Sequence, residues 1–348
     1  MQRTADCLVT GVTGFLGRSV ASLLRQKSAS VRSLVRRTGD VVSGDTVLDA
    51  DFSRLEIVHG NLLSPTDMDR AVEGVRVVYH LAAETRGLPA TIFAGTVVGS
   101  KNLLQAIVRV RPKRVVLVSS ISVYGLANAV PGIPVTEDCA TEEQPEKRDV
   151  YTHSKIWQEQ LFREYLSGSG IELTVLRPGF IYGPEQSQLP SRLGLSLGNV
   201  LLQVRHRTPL PITYVENCAN AVVFCGNSQE AANETYNIID DDVPTASEYL
   251  RLSRVANPNI RVLTLPFWVF TRLAYLNRVG HKVSAGQIPL VITGYKAGCS
   301  WKGHRFSNQK LKNLGWIQPV RTREALERTF SRRTLTNEPM KVRLRGIA

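Results

Sequence analysis

Cysteine is scarce and scattered in this chain: five in 348 residues, at Cys7, Cys139, Cys218, Cys225 and Cys299, with no C-x-x-C pair among them. An odd count without that spacing speaks against a disulfide framework or a structural zinc site, so reduced thiols in a cytoplasmic protein and no bound metal are expected. No apolar signal-type region precedes the first strand-like run at Cys7, and a secretory leader is not expected. The apolar stretch Leu263–Leu276 carries Pro266 and Arg272 and falls short of the roughly 20 residues a membrane span needs. A helix facing the core is the expectation there; a greasy substrate channel or shallow peripheral contact with a membrane is the weaker reading. Internal repeats and low-complexity tracts are also missing. Carboxylates are in short supply, 30 Asp and Glu against 43 Lys and Arg, for a net charge of +13. From Lys296 to Ala348 there are 13 basic and 3 acidic residues, so +10 of that excess lies in the last 53 positions. Such a surface attracts an anionic substrate, an acidic partner or anionic lipid. The aromatic-basic pattern of a nucleic-acid reader is absent, and no nucleic acid is expected.

Three stretches carry chemistry. Cys7-Leu8-Val9-Thr10 reads as a buried strand and runs into Gly11-Val12-Thr13-Gly14-Phe15-Leu16-Gly17, after which Val20, Leu23 and Leu24 give a helix pattern. Glycines between a strand and a helix let the backbone approach a pyrophosphate, to which the helix N-terminus offers unpaired N–H groups. The spacing is G-x-x-G-x-x-G rather than G-x-G-x-x-G. Val115-Val116-Leu117-Val118 reads as a central strand of a parallel sheet and ends in Ser119-Ser120-Ile121-Ser122-Val123-Tyr124-Gly125. Ligands of open α/β sheets bind at carboxyl strand ends, which is where these hydroxyls fall. Tyr151-Thr152-His153-Ser154-Lys155 puts a phenol and an ammonium four residues apart on one helix face. A lysine that close favours the phenolate and would draw the tyrosine pKa from about 10 toward the working pH.

Taken together these stretches resemble the short-chain dehydrogenase/reductase superfamily, specifically its extended branch, the NAD-dependent epimerase/dehydratase family with its 3β-hydroxysteroid dehydrogenase-like members. Val77–Ala83, Leu176–Pro184, Tyr214–Ala219, Tyr236–Ile238 and Leu314–Trp316 extend the resemblance over most of the chain. It implies a Rossmann-type doubly wound parallel sheet with a smaller, discontinuous substrate-binding lobe. Residues 1–185 and 213–240 would form the NAD(P)-binding domain, 186–212 and 241–330 the lobe, and 331–348 a basic tail. The strand runs Cys7–Thr10, Val31–Val35, Leu55–His59, Val75–Leu81, Val115–Ser119 and Leu173–Arg177 agree with that sheet.

The resemblance also implies roles. Ser120, Tyr151 and Lys155 would be catalytic, with Tyr151 exchanging a proton with a substrate oxygen, Ser120 hydrogen-bonding it, and Lys155 tuning Tyr151 and holding the nicotinamide ribose. Gly11, Thr13, Gly14, Phe15, Leu16, Asn61, Leu62, Leu81, Ala82, Ala83, Pro178 and Ile181 would line the cofactor, and Ser122 and Phe180 the substrate. Thr96, on a helix expected over Gly95–Arg109, stands where the family usually has Asn. Arg36 and Arg37 follow the second strand, where NAD enzymes place an acid for the ribose 2′-hydroxyl. Arginine suits a 2′-phosphate, so NADP(H) is favoured over NAD(H). An oxidoreductase acting on a secondary alcohol or ketone is the first expectation, working on a small molecule as a homodimer. A nucleotide-sugar epimerase or dehydratase with retained NAD comes second, with Arg205 and Arg207 as candidate phosphate ligands. A non-catalytic NAD(P) sensor is third.

Overall fold

Seven short strands associate into one parallel sheet, whose central members are buried on both faces while the edge strand Glu56–His59 is partly exposed. The computed structural model describes residues 5–27, 29–36, 55–127, 129–130, 132–186, 189–204, 209–254, 258–284, 287 and 293–331. In chain order the elements begin with β1 (Cys7–Thr10), α1 (Phe15–Gln26), β2 (Val31–Val35), β3 (Glu56–His59), α2 (Pro65–Val72), β4 (Val77–His80) and α3 (Pro89–Phe93). A π-helical turn, Ala94–Val98, leads into α4 (Gly99–Val110), followed by β5 (Arg114–Val118), α5 (Val150–Leu166) and β6 (Glu172–Pro178). Then come β7 (Phe180–Tyr182), β8 (Gly194–Leu197), β9 (Val200–Val204), β10 (Ile212–Tyr214), α6 (Val215–Asn227) and β11 (Thr235–Ile238). The chain finishes with α7 (Ala246–Ser253), β12 (Arg261–Leu265), α8 (Phe267–Val283), α9 (Gly294–Trp301), α10 (Gln309–Asn313) and α11 (Thr322–Phe330).

The sheet order is β11-β6-β5-β4-β1-β2-β3, with every pairing parallel. This is the doubly wound α/β fold that the strand pattern implied. The order reverses between β1 and β4, so a crevice opens beyond their carboxyl ends. Two buried clusters cover the two faces. One packs α1 and α6 on the sheet through Val20, Leu24, Val222 and Val223; the other packs α2, α4 and α5 through Met68, Leu103, Leu104 and Phe162. Residues 194–204 and 261–265 build a separate three-stranded sheet, β12-β9-β8, outside this body. The last segment returns to the body: Trp316 is buried in the first cluster and its Nε1 donates to Asn220 at 3.0 Å.

Helix α5 is unusual in burying polar residues, Ser154, Lys155, Gln158 and Glu159. Asp149 caps it, accepting from the Thr152 N–H at 2.9 Å and the Thr152 hydroxyl at 2.7 Å. The Glu159 carboxylate accepts from Arg177 of β6 at 2.5 and 3.2 Å, from Arg163 at 2.8 Å and from Ser119 at 2.8 Å. Burial alone would raise its pKa, but the Arg177 hydrogen bond and the two guanidinium charges bring it below the ordinary value. This knot fixes the height of α5 against β5 and β6. Removing one partner of a buried ion pair leaves the other charge uncompensated, so Glu159→Gln is expected to cost about 3–5 kcal/mol. The urea midpoint measures it. A shift equivalent to that of a surface pair would show that the knot does not seat the helix.

Candidate active site

The glycines at the end of β1 are there because nothing larger fits. Gly11 has φ +77°, and a Cβ on it would lie 2.9 Å from the backbone of Ala82, just beyond β4. A Cβ on Gly17 would lie 2.0 Å from the Gly11 carbonyl oxygen, so the loop and the first turn of α1 are pressed together. Gly14 is the N-cap of α1 and supplies no side chain to the first-turn N–H groups, and that turn holds no acid. Unpaired donors, the positive end of a helix dipole and an approachable backbone at the sheet's reversal suit a dinucleotide pyrophosphate. Thr13 and Gly14 are exposed at this turn, Phe15 is half-buried, and Leu16 faces the core. Leu81, Ala82 and Ala83 are half-buried after β4, across the crevice.

Ser120 lies beyond the carboxyl end of β5, in extended backbone, and its Oγ accepts from the Ser122 N–H at 3.1 Å. Its hydroxyl also faces the Tyr151 phenol, where a hydrogen bond favours the phenolate. Burial outweighs that bond and pushes the Tyr151 pKa up to about 12. Lys155 is fully enclosed, its Nζ donating to the Val118 carbonyl and to Gln158 Oε1, both at 2.8 Å. Burial lowers its pKa to about 7, against an opposing pull from the Glu159 charge. The expected tuning of Tyr151 by Lys155 is therefore not what the structure shows. The ammonium is committed to Val118 and Gln158, and desolvation, not a neighbouring cation, governs the phenol.

Behind Lys155 stands a buried network that the sequence did not reveal. The Gln158 amide donates to Ser100 Oγ at 2.9 Å and lies 3.1 Å from His80 Nε2, while His80 Nδ1 sits 2.7 Å from the Thr10 hydroxyl. Ser100 also bonds the Thr96 carbonyl at 2.5 Å. Burial, with the Lys155 charge, drives the His80 pKa down to about 3, so the ring is neutral and accepts the Gln158 proton at Nε2. The chain of contacts joins the ends of β1 and β4 to α4 and α5. Thr96 itself is buried and holds the loop after β4, accepting from the Glu84 N–H at 3.0 Å; it does not reach toward Tyr151 chemistry.

Other expected residues take varied positions. Ser122 Oγ is buried without a hydrogen-bond partner among the described residues. Pro178 ends β6, and Phe180 and Ile181 are half-buried on β7. Asn61 spends its side chain on a local turn, accepting from the Leu63 N–H at 3.0 Å, while Leu62 packs against Gly99. Arg36 is exposed after β2 with its Nη1 3.6 Å from a Glu84 oxygen; Arg37, Arg205 and Arg207 lie outside the described residues. Sequence reasoning also passed over Arg192. Its guanidinium stacks 5.0 Å from the Phe306 ring centre and donates to the Cys299 carbonyl at 3.3 Å, with no carboxylate partner among the described residues. Burial and the nearby Arg148 push its pKa down to about 10.

The family model described as NAD dependent epimerase/dehydratase matches residues 7–238. The chain belongs to that family. It is accordingly an enzyme of the extended short-chain dehydrogenase/reductase superfamily, whose chemistry depends on a nicotinamide dinucleotide. Among curated relatives, cinnamoyl-CoA reductase 1 of Petunia hybrida is 27% identical over 88% of this chain and 86% of that protein. UDP-glucose 4-epimerase of Vibrio cholerae is 26% identical over 85% and 90%. The decarboxylating sterol-4-alpha-carboxylate 3-dehydrogenase of Mus musculus is 25% identical over 94% and 91%. The crystal structure of gox2253 shares the fold, with a TM-score of 0.77 at 24% identity over 93% of this chain and 96% of that one.

The Lys155 cage makes a prediction about pH. A lysine whose pKa is lowered to about 7 is charged below that value and loses its proton as pH rises through it. If catalysis uses the ammonium, kcat/KM, which reports the free enzyme's groups, falls on the alkaline side of about 7. Gln158→Leu removes an acceptor that favours the charged form and should move that limb to lower pH. Gln158→Glu should move it to higher pH. Superimposable profiles for the three proteins would mean that Gln158 does not govern the lysine.

Proposed function

We propose that the enzyme is an oxidoreductase acting on a ketone or secondary alcohol, with Ser120, Tyr151 and Lys155 as its catalytic residues and NADP(H) as its preferred cofactor. The observation that carries this is the protonated Tyr151 phenol facing the Ser120 hydroxyl, beside the unpartnered Ser122 hydroxyl. A phenol whose pKa is about 12 is a proton donor at neutral pH, which is what a carbonyl oxygen requires as it becomes a hydroxyl. Ser120 donates to that oxygen as negative charge grows on it, and its own position is fixed by the Ser122 N–H. Lys155, held by Val118 and Gln158, stands ready for the ribose. Bound in the crevice, the nicotinamide supplies or accepts the hydride. Phe180, half-buried on β7, offers an apolar wall to the substrate.

Arg36 supports the cofactor preference. Its pairing with Glu84 is long and solvent-exposed, so it is worth little and yields to a dianionic 2′-phosphate. The same reading has residues 186–212 and 241–330 forming the substrate lobe and the protein acting as a cytoplasmic homodimer. The second reading, an epimerase or dehydratase working on a nucleotide sugar, draws on Arg192, whose free donors suit a phosphate, and on the Vibrio cholerae relative.

Mass analysis of nucleotide released by heating freshly purified protein separates the two. An exchangeable site that takes up NADP(H) is expected; stoichiometric retained NAD would favour the epimerase and overturn the cofactor preference. Tyr151→Phe should lower turnover by about 10²–10⁴-fold while leaving nucleotide affinity largely intact. Equal activity in that variant would remove Tyr151 as the acid, and turnover absent from both proteins over ketone and sugar panels would favour the sensor.

A further inference from the structure

Helix α8 was expected to turn its apolar residues toward the core, and it does so with only part of them. Phe270 and Ala274 are buried, and the Phe270 ring meets Trp301 of α9 edge-on at 5.0 Å. The opposite side of the helix carries Trp268, Tyr275, Leu276, Val279 and Val283, exposed by 60%, 68%, 62%, 41% and 82%. Positions 268, 275, 276, 279 and 283 recur at helical spacing, so they form one stripe along a helix about 25 Å long rather than scattered tips. A contiguous exposed stripe of this kind marks a surface that meets something.

The charges say what it meets. Arg272 lies within the stripe, its guanidinium 5.6 Å from the Trp268 ring centre, and exposed Arg278 and Lys282 border it. The surrounding sequence supplies no counter-charge: the 75 residues from Tyr249 to Arg323 contain 13 Lys and Arg and not one Asp or Glu. A second copy of the chain is a poor occupant, because a two-fold contact through α8 would set Arg272, Arg278 and Lys282 against their own copies. An apolar centre with aromatic rings, flanked by Arg272, Arg278 and Lys282, is complementary to a bilayer interface that carries negative charge. With 17 residues and charges along its length, α8 lies on such a surface rather than crossing it.

We propose that the outer face of α8 docks on the surface of an anionic lipid bilayer, with Trp268, Tyr275, Leu276, Val279 and Val283 among the acyl chains and Arg272, Arg278 and Lys282 at the lipid phosphates. The inference is independent of which substrate the active site takes.

The test uses the full-length protein and sedimentable vesicles of phosphatidylcholine with and without phosphatidylglycerol. The protein should pellet with the phosphatidylglycerol vesicles and be released by added salt. A double variant, Leu276→Glu with Val279→Glu, changes exposed positions only and should reduce partitioning at least ten-fold while leaving nucleotide binding and thermal stability as they were. Protein remaining in the supernatant with anionic vesicles overturns the proposal. So does undiminished binding of the double variant, which would place attachment in the basic C-terminal segment. Equal binding to neutral vesicles removes the anionic requirement and with it the proposal as stated. A wild-type dimer that the double variant dissolves in the absence of lipid would assign the face to a second copy instead.

Discussion

A lysine ammonium enclosed by protein must have its protons accepted, and the way Lys155 meets that demand organises the active-site half of the molecule. Its Nζ reaches the last carbonyl of β5 and the Gln158 amide oxygen. The amide group of Gln158 then needs partners of its own, which come from α4 and β4 through Ser100 and His80. His80 in turn needs to stay neutral, because a protonated ring would lose the acceptor that Gln158 uses and would place a second cation beside the first. Burial enforces that state. One charge thus dictates the tautomer of a histidine, the orientation of an amide and the spacing of two neighbouring helices on one face of the sheet. On the next position, Glu159 performs the complementary task for Arg177, so two charges of opposite sign, Lys155 and Glu159, enter the interior one turn apart on one helix, each with its own hydrogen-bond partners.

The carboxyl ends of the strands are the second constraint. Gly11 and Gly17 bring the first loop so near Ala82 and the start of α1 that a single methyl group would disturb the backbone. The reversal of strand order between β1 and β4 makes a crevice, and the glycines keep side chains out of it. The same crevice is bounded by Glu84, whose backbone is anchored by buried Thr96 in the π-helical turn before α4. Thr96 therefore shapes the cofactor side of the site at one remove, by fixing the loop that carries Glu84 toward Arg36.

Much of this was legible in the sequence because it depends on local patterns. The β-branched run Val115–Val118 is a strand buried on both faces, as a run with no polar alternation implies, and Val31–Val35 is buried throughout although it carries Arg32 and Ser33. The glycine loop and the Tyr151–Lys155 spacing were likewise local. What stayed hidden depends on contacts between distant residues. Gln158 and His80 are 78 positions apart, and nothing in a single amide announces that it will hold a lysine. The expected effect of Lys155 on Tyr151 failed for the same reason: helix spacing puts two side chains on one face, but burial and competing acceptors decide where the ammonium goes. The helix expected to start at Gly95 starts earlier, at Pro89, and carries a π turn over Ala94–Val98, where Thr96 bonds the Glu84 backbone.

Helix α8 shows a different limit of sequence patterns, and a more instructive one. Hydropathy identifies which residues avoid water but not how many neighbours the fold can offer them. The main sheet has helices on both faces to cover its strands, whereas β12, β9 and β8 form a small sheet outside that body, and α8 beside it has α9 to cover one side. An apolar helix with two greasy faces, one of them packed on α9, exposes the remainder among the described residues. Random exposure would be tolerated singly; a stripe of five residues bordered by cations, inside an acid-free stretch, is harder to reconcile with a surface meant only for water. The body of the protein holds its charges in pairs, Arg114 with Glu172, Arg148 with Glu142 and Arg177 with Glu159. From Tyr249 to Arg323 the sequence holds no acid, and although Lys310, Lys312 and Arg323 pair with Glu234, Asp241 and Glu327 from outside it, the positive charge that remains is concentrated in one region rather than spread over the whole chain. Segregation of this kind orients a molecule before it touches anything, because a one-sided field turns the cationic side toward negative charge at a range of about a Debye length, roughly 8–10 Å at physiological salt. The apolar stripe lies within that same region, so the field that attracts and the surface that could hold are presented together.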